Sequence, residues 1–222
     1  MTQGTGFAKE LPRFIAVEGP IGVGKTSLTK RLADTFNYEI LLERSDQNPF
    51  LERFYQNPRQ HALSTQLFFL FQRTQQIQNL RQEDMFEPVR VADFLIDKDP
   101  LFAQQTLDPD EYELYLNVYR HVTIDAPTPD LVIYLQAPTA VLFDRIQKCG
   151  NDAENLIELG YLEKLNSAYT EFFHYFNKTA LLIVNSAEVD LVGNDDDYQQ
   201  LVDYILSVPG GTHYFNPRSS LL

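Results

Sequence analysis

The chain has 222 residues, of which 44% are hydrophobic and 22% are charged, with one cysteine and a formal net charge of −13. This composition predicts one folded soluble domain over residues 1–222, with a core at about 13–205 and a tail at 206–222. The negative charge argues against binding to nucleic-acid polymers, and no apolar run approaches the roughly 20 residues that cross a membrane. We expect a cytoplasmic protein, because a single cysteine rules out an internal disulfide framework and the first residues do not resemble a secretory signal.

Five short apolar segments predict strands, and five longer stretches predict helices. The strands are expected at 13–18, 40–43, 89–94, 131–136 and 181–185, and the helices at 25–36, 61–81, 109–124, 140–148 and 156–176. The apolar runs are mostly continuous, which is typical of strands buried on both faces. The sequence therefore predicts an α/β fold with a five-stranded parallel sheet and helices on both faces. The turn-rich end of the chain either packs back through Tyr214 and Phe215 or is loose.

A phosphate-binding loop follows the first predicted strand. The pattern G-x-x-x-x-G-K-[ST] occurs here between a strand and a helix, which is its expected context. Glycines let successive backbone N–H groups point at phosphate oxygens, Lys25 adds a positive charge at the β and γ phosphates, and the Thr26 hydroxyl is suited to Mg²⁺. The residues predicted to hold ATP are Gly19, Pro20, Ile21, Gly22, Val23, Gly24, Lys25, Thr26 and Ser27.

Other protein classes that carry this loop lack their further motifs here. A GTPase needs an N-K-x-D base-binding motif, and Asn177-Lys178-Thr179-Ala180 has no acid at its end. A motor ATPase usually ends a strand in paired acids, whereas Asp93 is followed by Phe94 and Leu95. A small-molecule phosphotransferase remains.

Separated landmarks across residues 13–190 show a family resemblance. They are Glu18-Gly19-Pro20-Ile21-Gly22, Glu43, Asn48-Pro49-Phe50-Leu51-Glu52-Arg53-Phe54-Tyr55, Gln66-Leu67-Phe68-Phe69-Leu70 with Arg73, Val91-Ala92-Asp93, Arg145-Ile146 and Tyr161-Leu162-Glu163-Lys164-Leu165. In these the chain resembles the deoxynucleoside kinase family, in particular its bacterial deoxyguanosine/deoxyadenosine kinase branch. The resemblance implies a P-loop NTPase-type fold with a lid region, ATP as donor with Mg²⁺, a deoxynucleoside acceptor that is a purine, and a homodimer.

Two acids are expected at the edge of the sheet where ligands approach. Transfer to a sugar hydroxyl is helped by a carboxylate that accepts the proton, and Glu43 ends the second predicted strand at this edge. Asp93 ends the third strand and is predicted to hold Mg²⁺ or to share the role of base. As alternatives, Glu43 is a solvated strand end and Asp93 is a helix cap.

The helix at 61–81 is predicted to contact the nucleobase. Gln66 lies on an apolar helical face, where a buried amide needs partners that a base edge can supply, unless it bonds to backbone instead. Arg73 lies two turns along that face, and the resemblance implies that it points toward the base. The resemblance also implies that Tyr55 contacts the deoxyribose 3′-hydroxyl and that Glu154, a lid acid, contacts the sugar.

The chain departs from the family pattern in its cations. The family usually has an arginine directly after the acid of the third strand and an arginine-rich lid, whereas here Phe94 follows Asp93 and the lid at 145–154 keeps only Arg145 and Lys148. We predict that Arg145 stabilises the transferring phosphoryl group and that Lys148 binds ATP. Two alternatives stay open: a nucleoside monophosphate kinase, and a nucleotide-binding pseudoenzyme that acts as an interaction module.

Overall fold

The computed structural model describes residues 11–83, 89–123, 126–149, 153–208 and 210–217. The strands are β1 (Phe14–Glu18), β2 (Glu39–Leu41), β3 (Arg90–Ala92), β4 (Leu131–Gln136), β5 (Ala180–Asn185) and β6 (Thr212–Phe215). The helices are α1 (Lys25–Phe36), α2 (Leu51–Gln56), α3 (Pro58–Glu83), α4 (Asp99–Thr106), α5 (Pro109–Val122), α6 (Thr139–Cys149), α7 (Leu159–His174) and α8 (Asp195–Ile205). Single 3₁₀ turns lie at Ser45–Gln47, Ile96–Lys98 and Glu154–Leu156.

The six strands form one parallel sheet in the order β2-β3-β1-β4-β5-β6. β1 is central, so its carboxyl end lies between the ends of β3 and β4. In open sheets of this kind, ligands bind outside the carboxyl ends of the strands. The phosphate loop, which follows β1, is therefore placed at the centre of the edge where a ligand site is expected.

Alternate residues of the central strands supply two separate cores. Ile15 and Val17 of β1 pack with α1, α6 and α8 on one face, whereas Ala16 packs with α7 on the other. β4 follows the same alternation, with Ile133 in the first core and Tyr134 in the second. Because both faces are covered, the strands are apolar throughout, and this explains the continuous runs in the sequence.

Local signals set several helix boundaries. α1 begins directly after Gly24, which adopts a left-handed conformation with φ 102°, and ends at Asn37, which is also left-handed. α5 begins with a capping box, in which the side chain of Asp108 accepts a hydrogen bond from Glu111 N. Within the described residues, no helix combines the length and apolarity that a membrane span requires.

The parallel α/β sheet with helices on both faces is confirmed, but its strand count is six rather than five. β6 lies in the turn-rich tail and pairs with β5, so the tail packs back on the body. Phe215 is buried there, whereas Tyr214 is 65% exposed. Three helices were also missed, at α2, α4 and α8, while the predicted end of the helix at 109–124 lies at residues outside the described ranges.

Candidate active site

The phosphate loop is held tightly between β1 and its neighbours. At Gly19, which has φ 153°, an added Cβ would lie 2.3 Å from the carbonyl oxygen of Leu135. At Gly22, which has φ 80°, it would lie 2.8 Å from Ile146 Cγ1 and 2.9 Å from the carbonyl oxygen of Leu142. Both positions therefore need glycine for conformation and for space. The cradle that the motif predicts is built by close packing of the loop against β4 and α6.

Lys25 lies at the start of α1 with its ammonium turned toward its own loop. Its Nζ donates to the carbonyl oxygens of Gly19 at 2.7 Å and Pro20 at 3.2 Å. Burial lowers the pKa of Lys25 to about 8, and the charge of Lys98 adds to the effect. The ammonium group of Lys25 thus lies at the phosphate loop, as the motif predicts. A bound phosphate would raise the pKa of Lys25 again, because its negative charge favours the ammonium form.

Thr26, Asp93 and Glu43 are brought together by a short chain of hydrogen bonds. Thr26 Oγ1 donates to Asp93 Oδ2 at 2.6 Å, and the backbone N–H of Glu43 donates to Asp93 Oδ1 at 2.6 Å. Burial raises the pKa of Asp93 above its usual value, and the hydrogen bond from Thr26 opposes that shift. Glu43 and Asp93 lie just beyond β2 and β3 rather than inside them, and Asp93 ties the two strand ends to the phosphate loop.

Arg73 of α3 joins two carboxylates. One guanidinium nitrogen forms an ion pair with Glu43, and the other donates to Asp99 Oδ1 at 2.5 Å. The side chain of Arg73 is 6% exposed and that of Asp99 is fully buried. Burial opposes the charge on Arg73, but Asp99, Tyr115 and Glu18 together keep the pKa of Arg73 above its usual value. Arg73 therefore lies beside Glu43, the predicted general base, and also lines the cavity where the nucleobase is expected.

A cavity of about 610 Å³ joins the phosphate loop to the predicted nucleoside end. Tyr55, Gln66, Arg73 and Glu154 all line it, as predicted from the sequence. Gln66 is buried, and burial raises the pKa of Tyr55 well above its usual range, so that its phenol is a neutral hydrogen-bond donor. Of the predicted site residues with described positions, those that line this cavity are Ile21, Gly22, Val23, Gly24, Lys25, Thr26, Ser27, Glu43, Tyr55, Gln66, Arg73, Asp93, Arg145 and Glu154.

The two predicted lid cations lie in different surroundings. Arg145 lines the cavity and donates to the carbonyl oxygen of Ser186 at 2.8 Å, close to the loop that follows β5. Lys148 is 69% exposed and donates to Asp144 at 2.7 Å on the surface of α6, away from the cavity-lining residues. The part of the predicted lid at 150–152 lies outside the described residues. Arg145 thus lines the cavity beside the phosphate loop, and its role at the transferring phosphoryl group stays a prediction. Lys148 is not among the described residues that line the cavity.

Three features of the site were missed by the sequence reasoning. Glu18 and Lys98 form a buried ion pair under the phosphate loop, with an N–O distance of 3.1 Å. Asp99 is the second partner of Arg73. The loop at 186–192 lines the donor side of the cavity, where the carboxylate of Asp190 accepts hydrogen bonds from Val192 N and Gly193 N. The only sequence signal for the ion pair was an acid directly before the first glycine of the loop, because its lysine lies 80 residues away.

Comparison with known proteins identifies the family of this chain. A family model described as deoxynucleoside kinase matches residues 15–208. The chain belongs to the deoxynucleoside kinase family. It is 34% identical over 198 residues to a deoxyguanosine kinase of Bacillus subtilis (strain 168), a match that covers 86% of this chain and 95% of the relative. It is 29% identical over 204 residues to a deoxyadenosine/deoxycytidine kinase of the same strain, covering 87% and 92%.

Solved structures agree with this family. A structure of deoxyadenosine kinase from M. mycoides with bound dATP aligns with a TM-score of 0.76 at 25% identity, covering 88% of this chain and 99% of that one. These matches confirm the predicted family, its bacterial branch, the fold class and the enzyme class. This deoxynucleoside kinase is a phosphotransferase that uses ATP to phosphorylate a deoxynucleoside.

Proposed function

We propose that this kinase transfers the γ-phosphoryl group of ATP to the 5′-hydroxyl of a purine deoxynucleoside, with Glu43 as the base. One observation carries the proposal: a single cavity of about 610 Å³ contains both the phosphate loop and the carboxylate of Glu43. In the reaction the bond from the γ-phosphorus to the β–γ bridging oxygen of ATP breaks, a bond to the 5′-oxygen forms, and the 5′-hydroxyl proton passes to Glu43. The ion pair with Arg73 favours the ionised carboxylate that accepts this proton.

The surroundings of Thr26 and Asp93 suit Mg²⁺. A hydroxyl and a carboxylate 2.6 Å apart provide the oxygen donors that this ion prefers. In the described part of the chain, no three His, Cys, Asp or Glu side chains cluster as metal ligands, which fits an ion held mostly by nucleotide phosphates and water. When bound, Mg²⁺ neutralises charge on the phosphate oxygens. Thr26 would ligate it directly, and Asp93 directly or through water.

The purine preference is supported by the relatives and by the polar groups of α3. The relative with 34% identity is named a deoxyguanosine kinase, and others in the same comparison are deoxyadenosine kinases. Gln66 is buried and lines the cavity, and the Nε of Arg73 has no hydrogen-bond partner among the described residues. We infer that Gln66 and Arg73 contact the base edge, while Tyr55 and Glu154 contact the sugar.

The whole chain is proposed to act as one kinase domain over residues 1–222, in the cytoplasm and as a homodimer. These three proposals rest on the composition and on the family resemblance. Light scattering of the purified protein tests the dimer, since a monomeric mass at micromolar concentration would contradict it.

The acceptor of a nucleoside monophosphate kinase is already an anion, and family membership counts against that alternative. The second alternative, a pseudoenzyme, is disfavoured because a protein without catalysis would not need four reaction groups in one cavity. These groups are Lys25, Thr26, Glu43 and Asp93.

Phosphoryl transfer from labelled ATP·Mg²⁺ tests the proposed function. Each deoxynucleoside and each deoxynucleoside monophosphate is offered separately, and we expect transfer to deoxyguanosine and deoxyadenosine in preference to pyrimidines. Transfer to a monophosphate alone would refute the proposal, and ATP binding without any transfer would favour the pseudoenzyme.

A pair of variants then tests the role of Glu43. Glu43→Gln should lose at least about 100-fold in kcat while ATP still binds, because general-base catalysis contributes on this order. Glu39→Gln is the matched control, since Glu39 is an exposed acid of β2, four residues away. Near-normal turnover of Glu43→Gln would remove Glu43 as the base.

A further inference from the structure

Lys98 is a buried cation that the proposed roles do not use. It ends the 3₁₀ turn before α4, is 1% exposed, and donates from Nζ to Glu18 Oε1 at 3.1 Å. Its aliphatic stem leads past Phe102, with Nζ 5.2 Å from the centre of the ring. Burial lowers the pKa of Lys98, whereas the charge of Glu18 raises it. Removing an ammonium group from water costs several kcal/mol, so a lysine at this place needs a reason beyond packing.

Glu18 already has other donors. Its carboxylate accepts hydrogen bonds from Gly19 N at 2.8 Å, from Leu95 N at 2.8 Å and from the hydroxyl of Tyr169 at 2.9 Å. Lys98 therefore balances the charge of Glu18 but is not needed to satisfy its hydrogen bonding. An ammonium group has three N–H donors, and among the described residues Glu18 is the acceptor that Nζ contacts. Lys98 Nζ thus has N–H groups that do not donate to Glu18 and could donate to a ligand.

Lys98 lies at the same cavity as the proposed reacting groups. Lys98 and Phe102 both line the cavity that contains the phosphate loop and Glu43. The positive charge of Lys98 acts on Lys25 and on Asp93, which line the same cavity. Lys98 is therefore within electrostatic reach of the place where phosphoryl transfer is proposed.

Two other cations of the site, Arg73 and Arg145, already contact protein acceptors. Arg73 pairs with two carboxylates, and Arg145 donates to carbonyl oxygens of Val23 and Ser186. The position after Asp93, where the family pattern has an arginine, holds Phe94, which is 1% exposed in the core. A transferring phosphoryl group carries charge on its equatorial oxygens and is stabilised by fixed cations. Lys25 contacts only carbonyl oxygens of the phosphate loop among the described residues. Lys98 would add a second lysine cation at the same cavity.

We propose that Lys98 is a further catalytic residue, whose ammonium group donates to a non-bridging oxygen of the γ-phosphoryl group during transfer. This inference rests on the proposed function. Lys98 keeps its protons throughout, since the proton of the 5′-hydroxyl passes to Glu43 and the leaving oxygen remains on ADP. Glu18 fixes the ammonium group before ATP arrives, so little reorganisation is needed as charge develops. In this proposal a lysine from the turn that follows β3 supplies a cation that the position after Asp93, held by Phe94, does not.

The test compares variants that separate catalysis from charge balance. Lys98→Met leaves Glu18 without its counterion and can unfold the protein, so the informative variant is Lys98→Met combined with Glu18→Gln, which removes the charge pair together. Its reference is the wild type, because Glu18→Gln alone would leave the ammonium group of Lys98 buried without its counterion. Lys178→Met is the matched control, because Lys178 is exposed and pairs with Asp97 in the same turn. Urea unfolding, ATP binding, kcat and KM are measured for each variant.

We expect kcat of the double variant to fall about 100- to 1,000-fold below that of the wild type, as for removal of one transition-state donor. ATP affinity and the KM for the deoxynucleoside should change less than about threefold, and Lys98→Arg should recover part of kcat. Lys178→Met should retain its kcat. A double variant with kcat within threefold of its reference, or a loss confined to KM, would overturn the role of Lys98 while leaving the proposed function intact. A wild-type enzyme that transfers no phosphoryl group would instead overturn the proposed function and this inference with it.

Discussion

Replacing Asp99 with Asn tests the ion-pair network beneath the base pocket. Asp99 is fully buried, and its partner Arg73 is 6% exposed. Removing one member of a buried pair typically costs about 3–5 kcal/mol, because the other charge loses its compensation in a place that water cannot reach. Arg73 keeps its second partner, Glu43, so we expect the lower end, about 3 kcal/mol. Native proteins have only about 5–15 kcal/mol of stability, so this change removes a large part of it.

Urea unfolding measures the free energy directly. For a chain of this size the dependence on urea is near the upper end of about 1–3 kcal/mol per molar, so Asp99→Asn should lower the midpoint by about 1 M. Glu43→Gln is the control, since the side chain of Glu43 is 19% exposed and its loss should cost about 1 kcal/mol.

A double variant gives the sharper outcome. Arg73→Met with Asp99→Leu removes both charges, and replacing a buried pair by apolar residues is often neutral. We therefore expect the double variant to be more stable than Asp99→Asn. If Asp99→Asn stays within about 0.5 kcal/mol of the wild type, or if the double variant is the less stable of the two, the account of a charged buried pair is wrong.

Two further predictions concern the phosphate loop and the sixth strand. Because burial lowers the pKa of Lys25 to about 8, its ammonium form is present below that pH and lost above it. The kcat/KM for ATP should therefore decline about tenfold per pH unit above pH 8, and a profile that stays flat to about pH 9.5 would contradict the assignment. Phe215→Ala should cost about 3–5 kcal/mol in urea unfolding, whereas Tyr214→Ala, at a side chain 65% exposed in the same strand, should change stability by less than about 0.5 kcal/mol. Equal effects of the two substitutions would show that β6 is not packed as described.

Much of the fold was predictable because its signals are local. Continuous apolar runs gave all five predicted strands within two residues at each end, and α1 matches its prediction. The sixth strand was missed since Thr212–Phe215 is only partly buried and follows a glycine-rich turn. α4 was missed because it begins with Asp99, a buried carboxylate whose partner, Arg73, lies on another helix.

The candidate site divides in the same way. Lys25 and Thr26 were found from a contiguous motif, and Glu43 and Asp93 from their positions at strand ends. Lys148 was placed in the site on sequence proximity to Arg145, but the helix turns it to solvent, where it pairs with Asp144. Charge type and distance along the chain do not show which side of a helix faces the site; α6 reaches Cys149, and Lys148 lies on its exposed side.

By itself, the sequence determined the donor end of this enzyme, because a phosphate loop is made by consecutive residues whose backbone closes around the phosphates. It also determined that the sheet is parallel, since strands buried on both faces must be apolar throughout. The acceptor end was decided by the tertiary structure. Glu43, Arg73 and Asp99 come from three separate elements, and Glu18 meets Lys98 across 80 residues. Such pairs exist only after the sheet has brought its strand ends together, and burial then makes their charges interact strongly.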